Sequence, residues 1–260
     1  MINYSLSVRD LEFFLLILTR VSCFVHTAPF FNNTSTPRRA KVAVSVFISL
    51  LVYNFIARHT TLEYNTLMGY MILVIHEASC GLIIGFMSNI CLQTVLFAGA
   101  LIDMDIGISM VNLFDPVSRT QVGFTGVLYQ YALILVLLAT NFHHYLLRAF
   151  VRTFELIPLG HVVLDADKLF VLATKFLVRS FEIAFEIFLP VFTVMLLLNV
   201  VLGILAKVAP QMNMFSVGIQ IKILVGMSVL ILSCSLLPYV ADYIFGQMKE
   251  VITQAVNAMR

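Results

Sequence analysis

Three ionisable residues lie within long apolar stretches of the sequence, namely Arg20, Glu77 and Lys222. A charged side chain inside a bilayer is costly, so such residues commonly belong to a proton relay or a substrate path. The alternative is an ion pair or a hydrogen bond between packed helices. Glu77 shares one helical face with Gly81 and Gly85, and small residues on such a face let another helix approach closely. This pattern favours structural packing for the three charges.

The motifs of common catalytic sites are incomplete in this sequence. His76 and Glu77 match the start of the H-E-x-x-H zinc motif, but Cys80 occupies the position of the second histidine. There is no G-x-S-x-G nucleophile elbow and no P-loop for phosphate. The cysteines are scattered, which is typical of small buried apolar residues. We therefore predict that the protein is not an enzyme and has no cofactor or metal site.

Residues 103–119, DMDIGISMVNLFDPVSR, mix polar and apolar side chains between two long apolar stretches. A helix cannot easily continue through this segment because it contains a proline. Irregular backbone at membrane depth must be buried in protein or line a cavity, whereas an ordinary interfacial loop is the alternative. We expect the large apolar side chains of the segment to be exposed, namely Met104, Ile106, Met110, Leu113 and Phe114. Its candidate turn residues are Gly107, Asp115 and Pro116.

The composition is that of a membrane protein. Hydrophobic residues make up 60% of the 260 residues and charged residues only 12%, whereas soluble domains have about 45–50% and about 25%. Because so few polar side chains cannot cover a surface that faces water, we predict an integral membrane protein. A net charge of +2 gives no electrostatic footprint for nucleic acid.

The apolar stretches predict an all-α fold. A helix needs roughly 20 apolar residues to cross a bilayer, and five or six stretches reach or approach that length. Two of them, residues 67–102 and 165–206, would form helices about 54 Å and about 60 Å long. Each must either break into two pieces or extend well beyond the hydrocarbon layer. The distribution of Lys and Arg over the loops leaves the orientation open.

A stripe of charge runs along the second of these long stretches. The charged residues fall on one helical face and are Lys168, Lys175, Arg179, Glu182 and Glu186. Arg179 and Glu182 are spaced for an i,i+3 ion pair. Lipid would tolerate this face badly, so it should meet water, headgroups or a partner protein. A helix that lies along the membrane surface is the alternative.

Short patterns that occur in order over nearly the whole chain resemble one known family. They are Arg20-Val21, Thr27-Ala28-Pro29-Phe30, Pro37-Arg38-Arg39-Ala40-Lys41, Glu77 with Gly81 and Gly85-Phe86, Ala98-Gly99, Asp103 to Gly107, Phe114-Asp115-Pro116, Leu159-Gly160, and Pro190 ahead of Leu198-Asn199 and Gly203. The most specific run is APQMNMF at residues 209–215, with Gly218, Lys222 and Gly226 after it. The chain thereby resembles the FliR/SctT family of type III export-gate subunits. Gln220 departs from the pattern, because the family commonly has proline there.

The resemblance implies a subunit of the type III protein export gate in the flagellar basal body, in the bacterial inner membrane. With FliP and FliQ it would form the channel for unfolded flagellar proteins. The implied fold is a set of membrane-associated helical hairpins. Residues 1–164 would be a FliP-like part, and residues 165–260 a long helix and a FliQ-like hairpin with its turn near residues 207–216.

Functional positions follow from the same resemblance. Residues 103–119 match the family's plug loop, which helps to close the channel, and flexible Met and Phe side chains suit such a seal. The hairpin turn matches the place where FlhB packs, so the candidate contacts are Lys207, Pro210 and Gln211. The alternatives are the equivalent T subunit of a virulence injectisome or, less favoured, a secondary transporter that uses Glu77 and Lys222 with Arg20. A transporter would show inverted repeats, and we find no convincing pair.

Overall fold

The computed structural model describes residues 8–29, 31, 36–56, 64, 66–110, 123–211 and 213–260. Every regular element in this part of the chain is helical, which confirms the all-α prediction. Short 3₁₀ turns occur at Ile108–Met110 and at Cys234–Leu236. The α-helices are α1 (Val8–Thr27), α2 (Arg38–Ile56), α3 (Leu67–Ile106), α4 (Phe124–Ala139), α5 (Phe142–Leu156), α6 (Ala166–Val208), α7 (Met214–Ser233) and α8 (Leu237–Ala258).

The chain divides into two compact units, and each is assembled from separate stretches of sequence. The first contains Met1–Ile90, Asn141–Phe176 and Gly246–Arg260, and the second contains Cys91–Thr140 and Leu177–Phe245. Helices α3, α6 and α8 contribute residues to both units. These units are defined by packing, so the division at residue 164 into FliP-like and FliQ-like parts stays a prediction.

Each unit has an apolar core of its own. In the first, α1 packs on α2, and the ring of Phe24 stacks on the ring of Phe150 with 3.9 Å between their centroids. In the second, Phe97 of α3 meets Phe181 of α6 edge to face, at 5.4 Å. Stacked and edge-to-face rings are favourable aromatic geometries. The described part of each core is therefore built by helix-to-helix contacts between distant stretches of sequence.

The two overlong apolar stretches form unbroken helices. Helix α3 has 40 residues and α6 has 43, which correspond to about 60 Å and about 65 Å at about 1.5 Å per residue. Pro190 lies inside α6 without ending it. Both helices are therefore about twice as long as the ~30 Å hydrocarbon core of a bilayer, and the alternative of two shorter pieces does not occur.

Fewer helices could span a membrane than the five or six apolar stretches suggested. Among the described residues three are long and apolar enough, namely Leu67–Ile106, Ala166–Val208 and Ser216–Ala258, and a fourth span is possible if the bent pair α4 and α5 counts as one. Helix α1 carries four charged residues, and α2 opens with three basic ones. A stretch of sequence that is apolar on average can thus still contain charges that exclude it from lipid.

The boundaries of α6 and α7 follow from local capping. Asp165 caps α6, because its carboxylate accepts a hydrogen bond from the backbone N–H of Lys168 at 3.2 Å. The Lys168 side chain, 3.1 Å from the same carboxylate, and this backbone bond hold the pKa of Asp165 below its usual value. Helix α6 ends at Val208 and α7 begins at Met214, so the connection lies within residues 207–216, where sequence places the hairpin turn.

The predicted small-residue face of α3 packs against α1. A Cβ atom added at Gly81 would overlap the backbone carbonyl oxygen of Arg20. At Gly85 it would meet the hydroxyl group of Thr27 and the carbonyl oxygen of Phe24. The two helices therefore touch through backbone atoms, which is the close approach that small residues permit.

We expect the substitution Gly81→Ala to destabilise the protein by about 1–3 kcal/mol, because the new methyl group collides with backbone atoms that cannot rotate away. Gly203→Ala is the matched control, since a Cβ at Gly203 of α6 meets nothing within 4 Å. Alanine is favoured over glycine inside a helix by about 1 kcal/mol, so the control should be neutral or stabilising. Thermal unfolding in detergent measures both changes, and equal Tm values for Gly81→Ala and the wild type would contradict the close packing.

Candidate functional site

The first unit contains a fully buried ion pair. The Arg20 Nε of α1 donates a hydrogen bond to the Glu77 Oε2 of α3 at 2.5 Å, and both side chains are 0% exposed. Burial of two charges is tolerable only when they pair and their remaining polar atoms also find partners. The pair therefore joins α1 to α3 at the level where Gly81 lets the two helices touch.

The chain around the end of α5 adds further partners to this network, although the buried Arg20 Nη2 has no hydrogen-bond partner among the described residues. The Arg20 Nη1 donates to the carbonyl oxygens of Ile157 at 3.1 Å and Thr153 at 3.5 Å. The backbone N–H of Gly160 donates to the Glu77 Oε1 at 2.9 Å. Gly160 has φ 81°, a left-handed conformation that glycine adopts most readily. The Arg20 Cζ also lies 4.5 Å from the ring centroid of Phe154, a cation–π contact.

This geometry supports the structural interpretation of Arg20 and Glu77. A transport site would need access to water or substrate, whereas both side chains are enclosed and bonded to backbone groups. Lys222 belongs to the second unit and is half-buried there. Sequence inspection missed Thr153 and Ile157, because a backbone carbonyl leaves no signal in the residue type. The one sequence signal for these backbone partners was Leu159-Gly160 in the family pattern, because the N–H of Gly160 bonds to Glu77.

In the second unit, the start of the predicted plug segment is joined to helix α4. Asp103, near the end of α3, accepts hydrogen bonds from the backbone N–H of Thr125 at 3.1 Å and from its hydroxyl group at 2.5 Å. Thr125 lies in the first turn of α4, where backbone N–H groups lack partners within the helix. The Asp103 carboxylate of α3 therefore caps the start of α4. We call this contact between Asp103 and Thr125 the clasp.

The structure places the predicted plug residues unequally. Met104 is 67% exposed, as expected, but Ile106 is fully buried, which corrects the expectation that it would be exposed. The reason is the close approach of Gly226 in α7, where an added Cβ would lie 2.7 Å from the Ile106 side chain. Gly107 follows α3 with φ 92°, and Met110 ends the 3₁₀ turn. Four further candidates lie outside the described residues: Leu113, Phe114, Asp115 and Pro116.

Opposite charges on α3 and α7 also lie near each other, although they form no ion pair among the described residues. Asp105 has a buried carboxylate oxygen, Oδ2, without a hydrogen-bond partner among the described residues. Lys222 of α7 lies close enough to act on this carboxylate electrostatically. Gly226 follows Lys222 by one helical turn and meets Ile106, the residue after Asp105. Lys222, which the sequence marked as an unusual charge, therefore lies near the start of the predicted plug segment. In the sequence, the signal for this arrangement was Asp105, an acidic residue at the end of an apolar helix.

The remaining candidates lie on the surface. Arg179 and Glu182 form the predicted i,i+3 ion pair at 2.7 Å, with 39% and 52% of their side chains exposed. Arg179 also donates a hydrogen bond to the Tyr243 hydroxyl group of α8. The candidate FlhB contacts at the hairpin turn, Lys207, Pro210 and Gln211, are all exposed, and their role stays a prediction.

Breaking the buried pair should be far more damaging than breaking the exposed one. Arg20→Ala and Glu77→Ala should each cost about 3–5 kcal/mol, because each leaves one charge buried without its partner. Glu182→Ala is the matched control and should cost about 0.2–1 kcal/mol, as is typical of exposed pairs. Tm and the yield of folded protein in detergent provide the measurement. A loss for Glu77→Ala no larger than the loss for Glu182→Ala would refute the anchoring role of the buried pair.

Comparison with known proteins places the chain in a family. The sequence matches the bacterial export proteins, family 1, over residues 11–248. It is 30% identical to the flagellar biosynthetic protein FliR of Bacillus subtilis (strain 168), over 95% of this chain and 93% of that protein. It is 25% identical to the FliR proteins of Escherichia coli (strain K12), over 93% and 92%, and of Aquifex aeolicus (strain VF5), over 97% and 98%. The chain therefore belongs to bacterial export proteins, family 1, the family of the flagellar biosynthetic protein FliR.

Proposed function

We propose that this chain is a subunit of the flagellar type III export gate in the bacterial inner membrane, at the core of the basal body. It assembles there with FliP and FliQ into the channel through which unfolded flagellar proteins leave the cell. Family membership and the membrane-type helices support this function. The curated relatives named above are all flagellar, which favours flagellar export over the equivalent role in a virulence injectisome.

The observation that carries the proposal is the surface of α6. Only 11% of its most apolar stretch is buried, and large side chains such as Phe170, at 74%, are exposed. The length of the helix is about twice the thickness of the ~30 Å hydrocarbon core. Lipid therefore cannot cover all of this apolar surface. Contact with other protein chains can. Apolar surface on this scale is characteristic of an obligate interface.

The charged stripe on α6 points in the same direction. Lys175, Glu182 and Glu186 are exposed on the helix, which carries exposed phenylalanines at positions 181 and 185. Charges and aromatic rings in alternation along one helix suit neither pure lipid nor pure water. A protein interface can satisfy both, because partner chains supply opposite charges and apolar contacts together. We infer that FliP and FliQ cover this helix.

In this assembly the segment 103–119 acts as the plug and the α6–α7 turn as a docking point. The clasp between Asp103 and Thr125 holds α3 and α4 together beside this segment. Lys207, Pro210 and Gln211 face outwards at the turn, which suits a contact with FlhB. The residues of the plug seal the resting channel by apolar contacts that yield to a passing chain.

The proposal is tested by expressing the tagged chain with and without FliP and FliQ, followed by extraction in mild detergent and native mass spectrometry. We expect a discrete hetero-oligomer when the partners are present, and low yield or aggregation when they are absent, because α6 then remains uncovered. The matched control is expression with an unrelated polytopic membrane protein. A stable monomer or homodimer that ignores both partners would overturn the proposal.

The plug is tested in the assembled complex. Replacing Leu113 and Phe114 by serine should leave assembly intact, because the clasp of Asp103 with Thr125 and the packing of Ile106 on Gly226 are untouched. The serine side chains cannot seal an apolar constriction, so ion conductance across a bilayer should rise several-fold over the wild type. The matched control is Val163→Ser, which replaces an exposed apolar residue in the connection between α5 and α6. Unchanged conductance in a fully assembled complex would refute the plug.

A further inference from the structure

Helix α5 has one face in the core and one face of unpaired basic residues. The core face is buried in the first unit and consists of Phe142, Leu146, Phe150, Thr153 and Phe154. Arg148 and Arg152 are exposed on the helix and lie one turn apart, so their guanidinium groups are neighbours on the same face. The apolar side of this amphipathic helix is thus already occupied by protein, and its basic side points outwards.

Neither arginine has a carboxylate partner in the described part of the chain. The ion pairs found there involve Glu77, Asp165 and Glu182. Glu155 is the single acidic residue of α5. It follows Arg152 by three residues but does not form an ion pair with it. The exposed face of α5 therefore has a surplus of positive charge.

A third cation joins this face from α8. The Lys249 Nζ lies 4.9 Å from the ring centroid of Tyr145 and 5.7 Å from that of Phe142. Lys249 is exposed, and the cation–π contacts hold its ammonium group beside the start of α5. Tyr145 precedes Arg148 by three residues and so lies beside it on the helix. We name the set of Tyr145, Arg148, Arg152 and Lys249 the basic surface.

The position of α5 in the chain puts this surface near the boundary of the bilayer. Helix α4, which is separated from α5 by two residues, contains no charged residue. Helix α6, the next helix, is a candidate membrane span. A helix with exposed arginines that joins two such apolar helices suits the depth of the lipid headgroups, where the hydrocarbon ends. Tyrosine is also enriched at that depth, because its ring is apolar and its hydroxyl group is polar.

We propose that the basic surface is a binding site for anionic phospholipids. The planar fork of an arginine matches the oxygens of a phosphate group, so Arg148 and Arg152 hold the phosphodiester. Lys249 adds attraction to the net negative charge of a headgroup such as phosphatidylglycerol. An acidic protein segment could meet the same charges. Lipid is favoured because the surface lies between two apolar helices in the chain. This inference does not rest on the export-gate function, because it concerns the full chain in any bilayer.

The test is native mass spectrometry of the full-length protein, delipidated in the assembly in which it purifies with FliP and FliQ, and titrated in detergent with phosphatidylglycerol or with phosphatidylcholine. Both lipids carry a phosphate, but only phosphatidylglycerol is net negative. We expect the wild type to retain several-fold more phosphatidylglycerol. The double substitution R148Q/R152Q should bring the ratio close to one, and R148K/R152K should keep most of the preference, because lysine retains the charge. Added salt should weaken the preference by screening.

The matched control is R38Q/R39Q, which removes two exposed arginines at the start of α2 and should leave the preference largely intact. Equal losses in both double variants would show that retention follows net charge and would overturn the site. The absence of any preference in the wild type would also overturn it. An unchanged preference in R148Q/R152Q would exclude lipid at this surface and point to an acidic protein partner. Correct folding of the variants is checked by Tm, which these exposed side chains should not change appreciably.

Discussion

The buried contact between Arg20 and Glu77 is the constraint on which the first unit depends. Two charges are costly to remove from water unless they pair and accept or donate further hydrogen bonds, and here most of these bonds come from three stretches of chain. Helix α1 provides the cation, α3 the carboxylate, and the chain after α5 the backbone groups. The small residue Gly81 brings α1 and α3 close enough for the pair to form. The apolar faces of these helices alone would allow several alignments, and the polar interaction between Arg20 and Glu77 selects one of them.

In the second unit, two contacts involve the last turn of α3, just before the residues that lie outside the described part of the chain. Asp103 satisfies the open end of α4, and Ile106 packs into the space left by Gly226. Each contact uses the last turn of α3 and therefore holds the start of the predicted plug segment.

The surface of the protein reflects its surroundings. Long apolar faces on α6 and α7 remain open in the single chain, while charges occur on the α6 stripe and on α5. Because both apolar and charged surfaces are costly in the wrong solvent, their pattern predicts which neighbours they meet. The length of the apolar helix α6 favours protein partners as its neighbours. The basic surface on α5 favours the headgroups of anionic lipids.

The sequence by itself indicated the all-α membrane class and the pairing of Arg179 with Glu182, because hydropathy, periodicity and i,i+3 spacing are local properties. The family and the position of the α6–α7 turn followed from the resemblance of short sequence patterns to known export proteins. The sequence also identified Arg20, Glu77 and Lys222 as unusual, since an apolar context is visible in one dimension. Only the tertiary structure decided what surrounds them: backbone groups around Ile157 and Gly160 bond the first two, and the opposite charge of Asp105 lies near the third. It likewise buried Ile106, which composition had suggested was exposed. Backbone atoms carry no sequence signal, and contacts between distant stretches arise only when the helices pack.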